Sequence, residues 1–250
     1  MLQVKNTVTS LGLTVSGSTA DFTEILQAIN TVAGPAGKRP CMAAAHVRVS
    51  NFCSQLQSAL TASDCSFNVL WPEAVFIVGA LSGFIKFESE DLSKKNFIYD
   101  VIASPKVIFD ENIIKLRLLQ AKIISELQTL ITRQSFTRIL NIYGSGHTYF
   151  VDYETGFLDL MNCEYISLSK EKRLQKLASI TISILSRSGK YRKFEQEINL
   201  NAADRQNLEQ TTAHYSGNSK SRPSVMLGLL LFKVHVPPAT LPALFVSPST

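Results

Sequence analysis

The sequence predicts a mostly β fold with several helices, arranged as two β-rich halves joined by a helical stretch. Short runs rich in β-branched and aromatic residues recur along the chain, separated by glycine, proline or polar clusters. Between Glu111 and Gln134, apolar residues recur instead at the spacing of one helical face. The 250 residues, 45% of them hydrophobic, suffice for one or two folded domains. We therefore predict domains at residues 1–134 and 135–250.

The clearest element in the first half is a helix within residues 16–34. Phe22, Ile25 and Ile29 recur at intervals of three and four residues, which places them on one buried face. Polar residues that can cap a helix precede them, and Gly34 follows the last turn.

The remainder of the first half reads mainly as strands. Residues 38–56 are predicted as a loop and then a strand, because Val47 and Val49 alternate with polar neighbours. Residues 66–88 read as strand material broken by glycine turns, and residues 95–110 alternate loosely.

The second half is predicted as β structure. Two short strands are expected within residues 138–168. Residues 178–185 and 194–200 are predicted to pair as a hairpin, with a turn through Ser188 and Gly189. The continuous apolar run at 224–236 is typical of a strand buried on both faces.

Composition and motifs exclude several classes of protein. No apolar run is long enough for a membrane-spanning helix, and the first residues lack the pattern of a secretory signal, so we expect a cytosolic protein. The four cysteines form no CxxC pair and lie at no zinc-ligand spacing from a histidine, so we expect buried free thiols and no metal or cofactor. No nucleophile or phosphate-loop signature is present, and an enzyme is not expected.

Charge is the most informative property of the chain. Lys170 to Arg222 carry eleven Lys and Arg against five Asp and Glu, a surplus of six, whereas the whole chain has 25 against 20 and the rest therefore nets minus one. A positive field confined to one region attracts an extended anion such as an acidic lipid surface or a nucleic acid. The predicted membrane- or anion-binding residues are Lys170, Lys172, Arg173, Lys176, Arg187, Lys190, Arg192 and Lys193.

The sequence leaves the class of anion open. Only Tyr191 and Phe194 lie among these cations, whereas proteins that bind single strands usually interleave several aromatic residues for base stacking. Leu241, Leu244 and Phe245 in the proline-rich tail are candidates for shallow membrane insertion or self-association. An RNA-binding nucleocapsid or accessory protein that uses the same surface is the alternative. A third possibility is a structural protein whose cations are buried between subunits or merely solubilise one face.

Four stretches, in order along the chain, resemble the matrix proteins of non-segmented negative-strand RNA viruses. Residues 18–35 resemble the first helix of their amino-terminal domain, and residues 92–108 one of its strands. Residues 178–200 are similar to a basic hairpin of the carboxy-terminal domain, and "PPATLPALF" to a filovirus matrix tail.

The resemblance implies two β-sandwich-like domains and a dimer that assembles into a lattice. Residues 1–134 would then serve dimerisation and assembly, and residues 135–250 would form the basic, membrane-facing domain. It further implies a virion protein beneath the envelope, found in the host cytoplasm and on the inner face of the host membrane. Such a protein binds anionic phospholipid, nucleocapsid and glycoprotein tails, drives budding and has no enzymatic activity. PPxY and P-[ST]-A-P budding motifs are absent from the sequence.

Overall fold

The computed structural model describes residues 2–61, 65–93, 104–144, 155–186 and 188–197. The chain divides into two compact units, residues 1–196 and 197–250, and the described residues lie almost entirely in the first. The domain boundary predicted after residue 134 falls within this first unit. Arg187, the strand at 224–236, and Leu241, Leu244 and Phe245 lie outside the described residues.

A small antiparallel sheet opens the fold. Strands β1 (Gln3–Asn6), β2 (Gly12–Ser16) and β3 (Ser66–Leu70) lie in the order β1-β2-β3. Val15 pairs with Val4 on one side and with Phe67 on the other, and its side chain is fully buried. The alternation of strand side chains therefore turns one face of the sheet toward the helices.

Helix α1 (Thr19–Ala33) confirms the first predicted helix. Ser18 and Asp21 form a reciprocal capping box, and the backbone N–H and hydroxyl of Ser18 hold the pKa of the Asp21 carboxyl well below its usual range. Phe22 and Ile29 on its inner face are buried. Gly34 ends the helix at a φ of 71°, a conformation that favours glycine.

Of the two longest stretches predicted as strands in the first half, only Ser66–Leu70 forms a strand, and the rest is mainly helical. After a short 3-10 helix (Pro40–Met42), α2 (Ala43–Thr61) buries Val49, Phe52 and Leu56 on one face, so the helical period outweighs the local alternation of valines. Helix α3 (Trp71–Ser93) follows β3 directly. It is apolar around most of its circumference because it lies in the centre of the fold, and such a helix shows little periodic signal.

The remaining described elements are all helical, including those within residues 138–168, where two strands were predicted. Helix α5 (Glu111–Leu130) confirms the second predicted helix, and the Asp110 carboxylate caps it by accepting from the Ile113 backbone N–H. These elements are α4 (Pro105–Ile108), α5 (Glu111–Leu130), α6 (Arg133–Gly144), α7 (Thr155–Ile166), α8 (Lys170–Leu185) and residues 189–197, labelled α9.

The predicted fold class is therefore wrong. The described residues form a predominantly helical protein with one three-stranded sheet, and the two expected β-sandwich domains do not describe this fold. The predicted hairpin strand at 178–185 belongs to α8, because Leu177, Ile180, Thr181 and Ile184 share one buried helical face. Its β-branched residues are common in strands, but tertiary packing overrides that preference.

Helix α3 organises the packing of the described part. It contacts α1, α2, α5, α7 and α8, and the buried residues form a single continuous core. At the contact with α5, the Gln120 side-chain amide donates to the Val78 carbonyl at 2.6 Å and to the Ser82 hydroxyl at 2.9 Å. In the described residues, no helix combines the length and apolar character that crossing a membrane requires.

The cysteines follow the prediction only in part. All four are free, and burial raises the pKa of the Cys53 thiol to about 11. Cys41 and Cys163, however, are exposed.

Candidate functional site: a basic corner

Seven of the eight predicted cations lie in the described residues. They are on two helices, α8 and α9, and not on the hairpin that the sequence predicted. Lys170, Lys172, Arg173 and Lys176 occupy the first two turns of α8. Lys190, Arg192 and Lys193 lie on α9. The basic corner is defined here by six of them: Lys170, Lys172, Lys176, Lys190, Arg192 and Lys193.

Helix α8 begins at a capped turn that presents two lysines to solvent. The Ser169 hydroxyl accepts from the Lys172 backbone N–H at 3.4 Å. Lys170 and Lys172 are exposed, and their ammonium groups form no hydrogen bond or salt bridge among the described residues. Beside them, hydrogen bonds from its own backbone N–H and from Ser169 lower the pKa of the Glu171 carboxyl.

The two groups of cations meet at one carboxylate. Glu164 of α7 lies 3.9 Å from the ammonium group of Lys176 and forms a close ion pair with Lys190. Arg192 and Lys193 follow on α9, where both are exposed and form no hydrogen bond or ion pair with a described residue. Glu164 therefore brings Lys176 of α8 and Lys190 of α9 together, and the other four cations lie near these two along the same helices.

The aromatic residues of this region face inward. Tyr191 packs against Phe157 of α7 with ring centroids 5.2 Å apart, and Phe194 packs against the same ring at 5.5 Å. Tyr191 is fully buried. These two side chains anchor α9 and offer no stacking platform to a nucleic-acid base.

Arg173 differs from its neighbours because it holds the fold together. Its guanidinium donates to the carbonyls of Tyr165 at 3.2 Å, Ile166 at 2.8 Å and Thr9 at 3.2 Å. The Tyr165 hydroxyl donates to the Ser10 carbonyl at 2.8 Å, and burial raises the pKa of this tyrosine. Arg173 thus ties the β1–β2 turn to the end of α7 and is not free to bind a ligand.

Sequence reasoning missed this role of Arg173, although a signal was present. Arg173 lies one helical turn before Leu177, in line with the buried stripe of α8. The sequence prediction placed Arg173 before a strand rather than on the same helix as Leu177, so this alignment with the buried face was not recognised.

Apolar side chains are exposed next to the basic corner. Val8, at the tip of the β1–β2 turn, is 88% exposed, and Ile166, the last residue of α7, is 44% exposed. Arg173 bonds to the carbonyl of Ile166 and to that of Thr9, the residue after Val8. Both apolar side chains therefore lie close to the start of α8.

A second charged cluster, which is partly buried, lies where α2, α3 and α7 meet. The Arg48 guanidinium donates to Glu73 at 3.1 Å, to Asp159 at 2.6 Å and to the Thr155 carbonyl at 3.3 Å. The Asn162 amide also donates to Glu73, at 2.7 Å. No sequence motif marks this cluster, because its residues come from three distant helices.

Burial dominates the electrostatics of Glu73. It raises the pKa of the Glu73 carboxyl, and the attraction to Arg48 only partly opposes that shift. In the described residues, no group of three or more His, Cys, Asp and Glu side chains is placed to hold a metal ion. We interpret the cluster as a junction between helices.

Arg39, like Arg48, forms ion pairs that join two segments of the fold. It bonds to Glu88 at 3.0 Å and to Asp91 at 2.9 Å, and its guanidinium lies 5.0 Å from the centre of the Phe87 ring. This joins the segment after α1 to the end of α3.

Comparison with protein families gives one match, which covers residues 2–219 and carries the description Domain of unknown function (DUF6904). The chain belongs to the DUF6904 family. The matched range includes every described residue, and hence the basic corner of this DUF6904 chain. Searches of curated proteins and of solved structures gave no match. The family match provides no link to viral matrix proteins.

Proposed function

We propose that this chain binds the surface of anionic membranes as a peripheral protein, using the basic corner. The observation that carries the proposal is the combination of exposed cations, which form no salt bridge with a described residue, with exposed apolar side chains near the start of α8. Lys170, Lys172, Arg192 and Lys193 supply the cations, and Val8 and Ile166 supply the apolar groups.

The charges are sufficient for reversible adhesion. A cation close to an anionic leaflet contributes about 1 kcal/mol, and the attraction decays within a Debye length of about 8 Å at physiological salt. Four such cations contribute roughly 4 kcal/mol, or about three orders of magnitude in affinity. Nearby carboxylates such as Glu171 oppose part of this attraction.

The apolar groups favour lipid over RNA at this surface. Complete transfer of a valine or isoleucine side chain out of water yields about 1.5–3 kcal/mol, so shallow insertion of Val8 and Ile166 adds to the electrostatic attraction. RNA binding would use the same cations, but Tyr191 and Phe194 are packed against Phe157 and leave no aromatic platform. The RNA-binding alternative is therefore less well supported here.

The proposal is narrower than the expectation from the resemblance. Self-assembly into a lattice, contacts with nucleocapsid and glycoprotein tails, a place beneath a virion envelope, budding and the absence of enzymatic activity stay predictions. So does the role predicted for Leu241, Leu244 and Phe245.

Flotation of the full chain with vesicles tests the proposal. We expect it to float with phosphatidylcholine vesicles that contain phosphatidylserine, and to stay at the bottom with phosphatidylcholine alone or at raised salt. The corner variant, in which Lys170, Lys172, Arg192 and Lys193 are all changed to Gln, should lose flotation.

A matched control changes four exposed cations outside the corner: Lys86, Lys106, Arg133 and Arg138. This control should float like wild type. Equal flotation of the corner variant and wild type would refute the site, and release of the protein from vesicles by single-stranded RNA would favour the RNA alternative.

A further inference from the structure

Helix α6 carries a second basic surface, which the proposed function does not use. Polar side chains recur on its outer face at intervals of three and four residues. This α6 face consists of Arg133, Gln134, Thr137, Arg138 and Asn141, all of them exposed.

The packing of α6 leaves this face accessible. Among the described elements, α6 packs chiefly on α8. Ile139, on its inner side, is fully buried, whereas Leu140 on the outer side is 44% exposed. The helix starts after the capping residue Thr132, whose hydroxyl accepts from the Ser135 backbone N–H at 3.3 Å.

The side chains of the α6 face are free to bind a ligand. The head groups of Arg133, Gln134, Arg138 and Asn141 form no hydrogen bond or ion pair among the described residues. The Thr137 hydroxyl donates only to the Arg133 carbonyl, within the helix. None of the five residues of the α6 face carries a carboxylate, and neither arginine forms an ion pair with a described residue.

The chemistry of this set points to one class of anion. Arginine bonds bidentately to guanine edges and to phosphate, and asparagine and glutamine bond bidentately to adenine, while threonine and apolar side chains contact the thymine methyl group. Binding of an anionic lipid headgroup does not require the paired donor and acceptor groups that two amide side chains offer.

We propose that the α6 face binds duplex DNA, with α6 lying in the major groove. An α-helix with its side chains is about 10–12 Å across, and the major groove of B-form DNA is about 12 Å wide. The two arginines are five residues apart, which is about 7.5 Å along the helix axis, so they can reach neighbouring phosphates or base pairs.

Other nucleic acids fit this face less well. The major groove of double-stranded RNA is too deep and narrow for side chains to read. Single strands are held mainly by aromatic stacking, and the α6 face has no aromatic residue.

Fluorescence anisotropy of the full chain with a labelled 30-base-pair DNA of mixed sequence tests the proposal. We expect the α6 variant, with Arg133 and Arg138 changed to Gln, to bind at least tenfold more weakly. The slope of log affinity against log salt should become shallower by about 2, since each phosphate contact contributes about 0.9. A control with Lys86 and Lys106 changed to Gln, two other exposed cations, should bind within threefold of wild type.

Unchanged affinity and salt slope in the α6 variant would overturn the proposal, as would failure of the wild-type chain to bind the duplex at all. Equal affinity for an RNA duplex of the same sequence would overturn the assignment to the major groove. Circular dichroism checks that the variant is folded, and because these side chains are exposed and unpartnered we expect its spectrum to match wild type. The corner variant should retain DNA binding within threefold, which separates this proposal from the lipid proposal.

Discussion

The basic corner and the α6 face are both positively charged, but they differ in chemistry. The corner combines mostly lysines with a shared carboxylate, Glu164, and with two exposed apolar side chains. The α6 face combines arginines with amides and a hydroxyl, without a carboxylate. Lysine is a point charge with no preferred plane, whereas arginine and the amides bond directionally. Judged by charge alone, the two surfaces would be expected to bind the same ligands. The uncharged and acidic side chains beside the cations indicate different ligands.

The cations of the described residues also fall into two groups, those bonded within the fold and those exposed to solvent. Arg39, Arg48 and Arg173 each bond to two or three acceptors and join distant segments. The cations assigned to ligands form no such bonds, apart from Lys176 and Lys190. Binding and stability should therefore respond to different substitutions.

The largest effect on stability is expected at Arg173. Arg173→Ala removes three hydrogen bonds from a charged donor and leaves carbonyls of Thr9, Tyr165 and Ile166 without it. We expect the free energy of unfolding to fall by about 3 kcal/mol, measured by urea denaturation. Lys172→Ala, one position away on the exposed side, should change it by less than about 0.5 kcal/mol. Equal losses in both variants would contradict the division between fold-holding and ligand-binding cations.

A smaller effect is expected from the apolar part of the corner. Changing Val8 and Ile166 together to Ser should weaken partitioning into acidic vesicles about tenfold, because shallow insertion of two side chains is lost. DNA binding should not change. The matched control changes Val47 and Leu118, which are 59% and 49% exposed on α2 and α5. An equal loss in that control would mean that exposed apolar area in general, rather than the corner, determines partitioning.

The smallest effect concerns the buried junction, which neither surface uses. Because the pKa of Glu73 is raised in the folded state, the folded protein holds this proton more tightly than the unfolded chain does. Stability contributed by Glu73 is therefore present below the ordinary carboxyl pKa and is lost as the pH rises through the raised pKa. Glu73→Gln keeps an oxygen that accepts from Arg48 and Asn162, so the unfolding free energy of the variant minus that of wild type should increase over this pH range. A difference that is flat or falls with pH would show that the attraction to Arg48 outweighs burial.

Part of this fold could be predicted from the sequence. Helices α1 and α5 are amphipathic and carry polar caps, so pattern and capping agree, and both predictions were correct. Helix α3 is buried on most sides and α8 is rich in β-branched residues, and in both the local signal favoured strands. For α3 and α8, only packing against distant segments of the chain decides between a helix and a strand.

The candidate site shows the same limit. The surplus of cations after residue 170 was visible in the sequence, and two of its members, Lys176 and Lys190, meet at Glu164. That Arg173 is a structural residue, and that Tyr191 and Phe194 face inward, depends on contacts with α7 and the β1–β2 turn. The α6 face was hidden because the residues after Arg138 were assigned to a strand, which splits its five side chains between two elements.

The most direct test measures both ligands on both variants. Vesicle flotation and DNA anisotropy would be recorded for the wild-type chain, the corner variant and the α6 variant at one salt concentration. The account predicts that the corner variant loses acidic vesicles and keeps DNA, and that the α6 variant loses DNA and keeps vesicles. Parallel loss of both ligands in both variants would contradict it, because a single unspecific field from the net charge of +5 would then explain all binding.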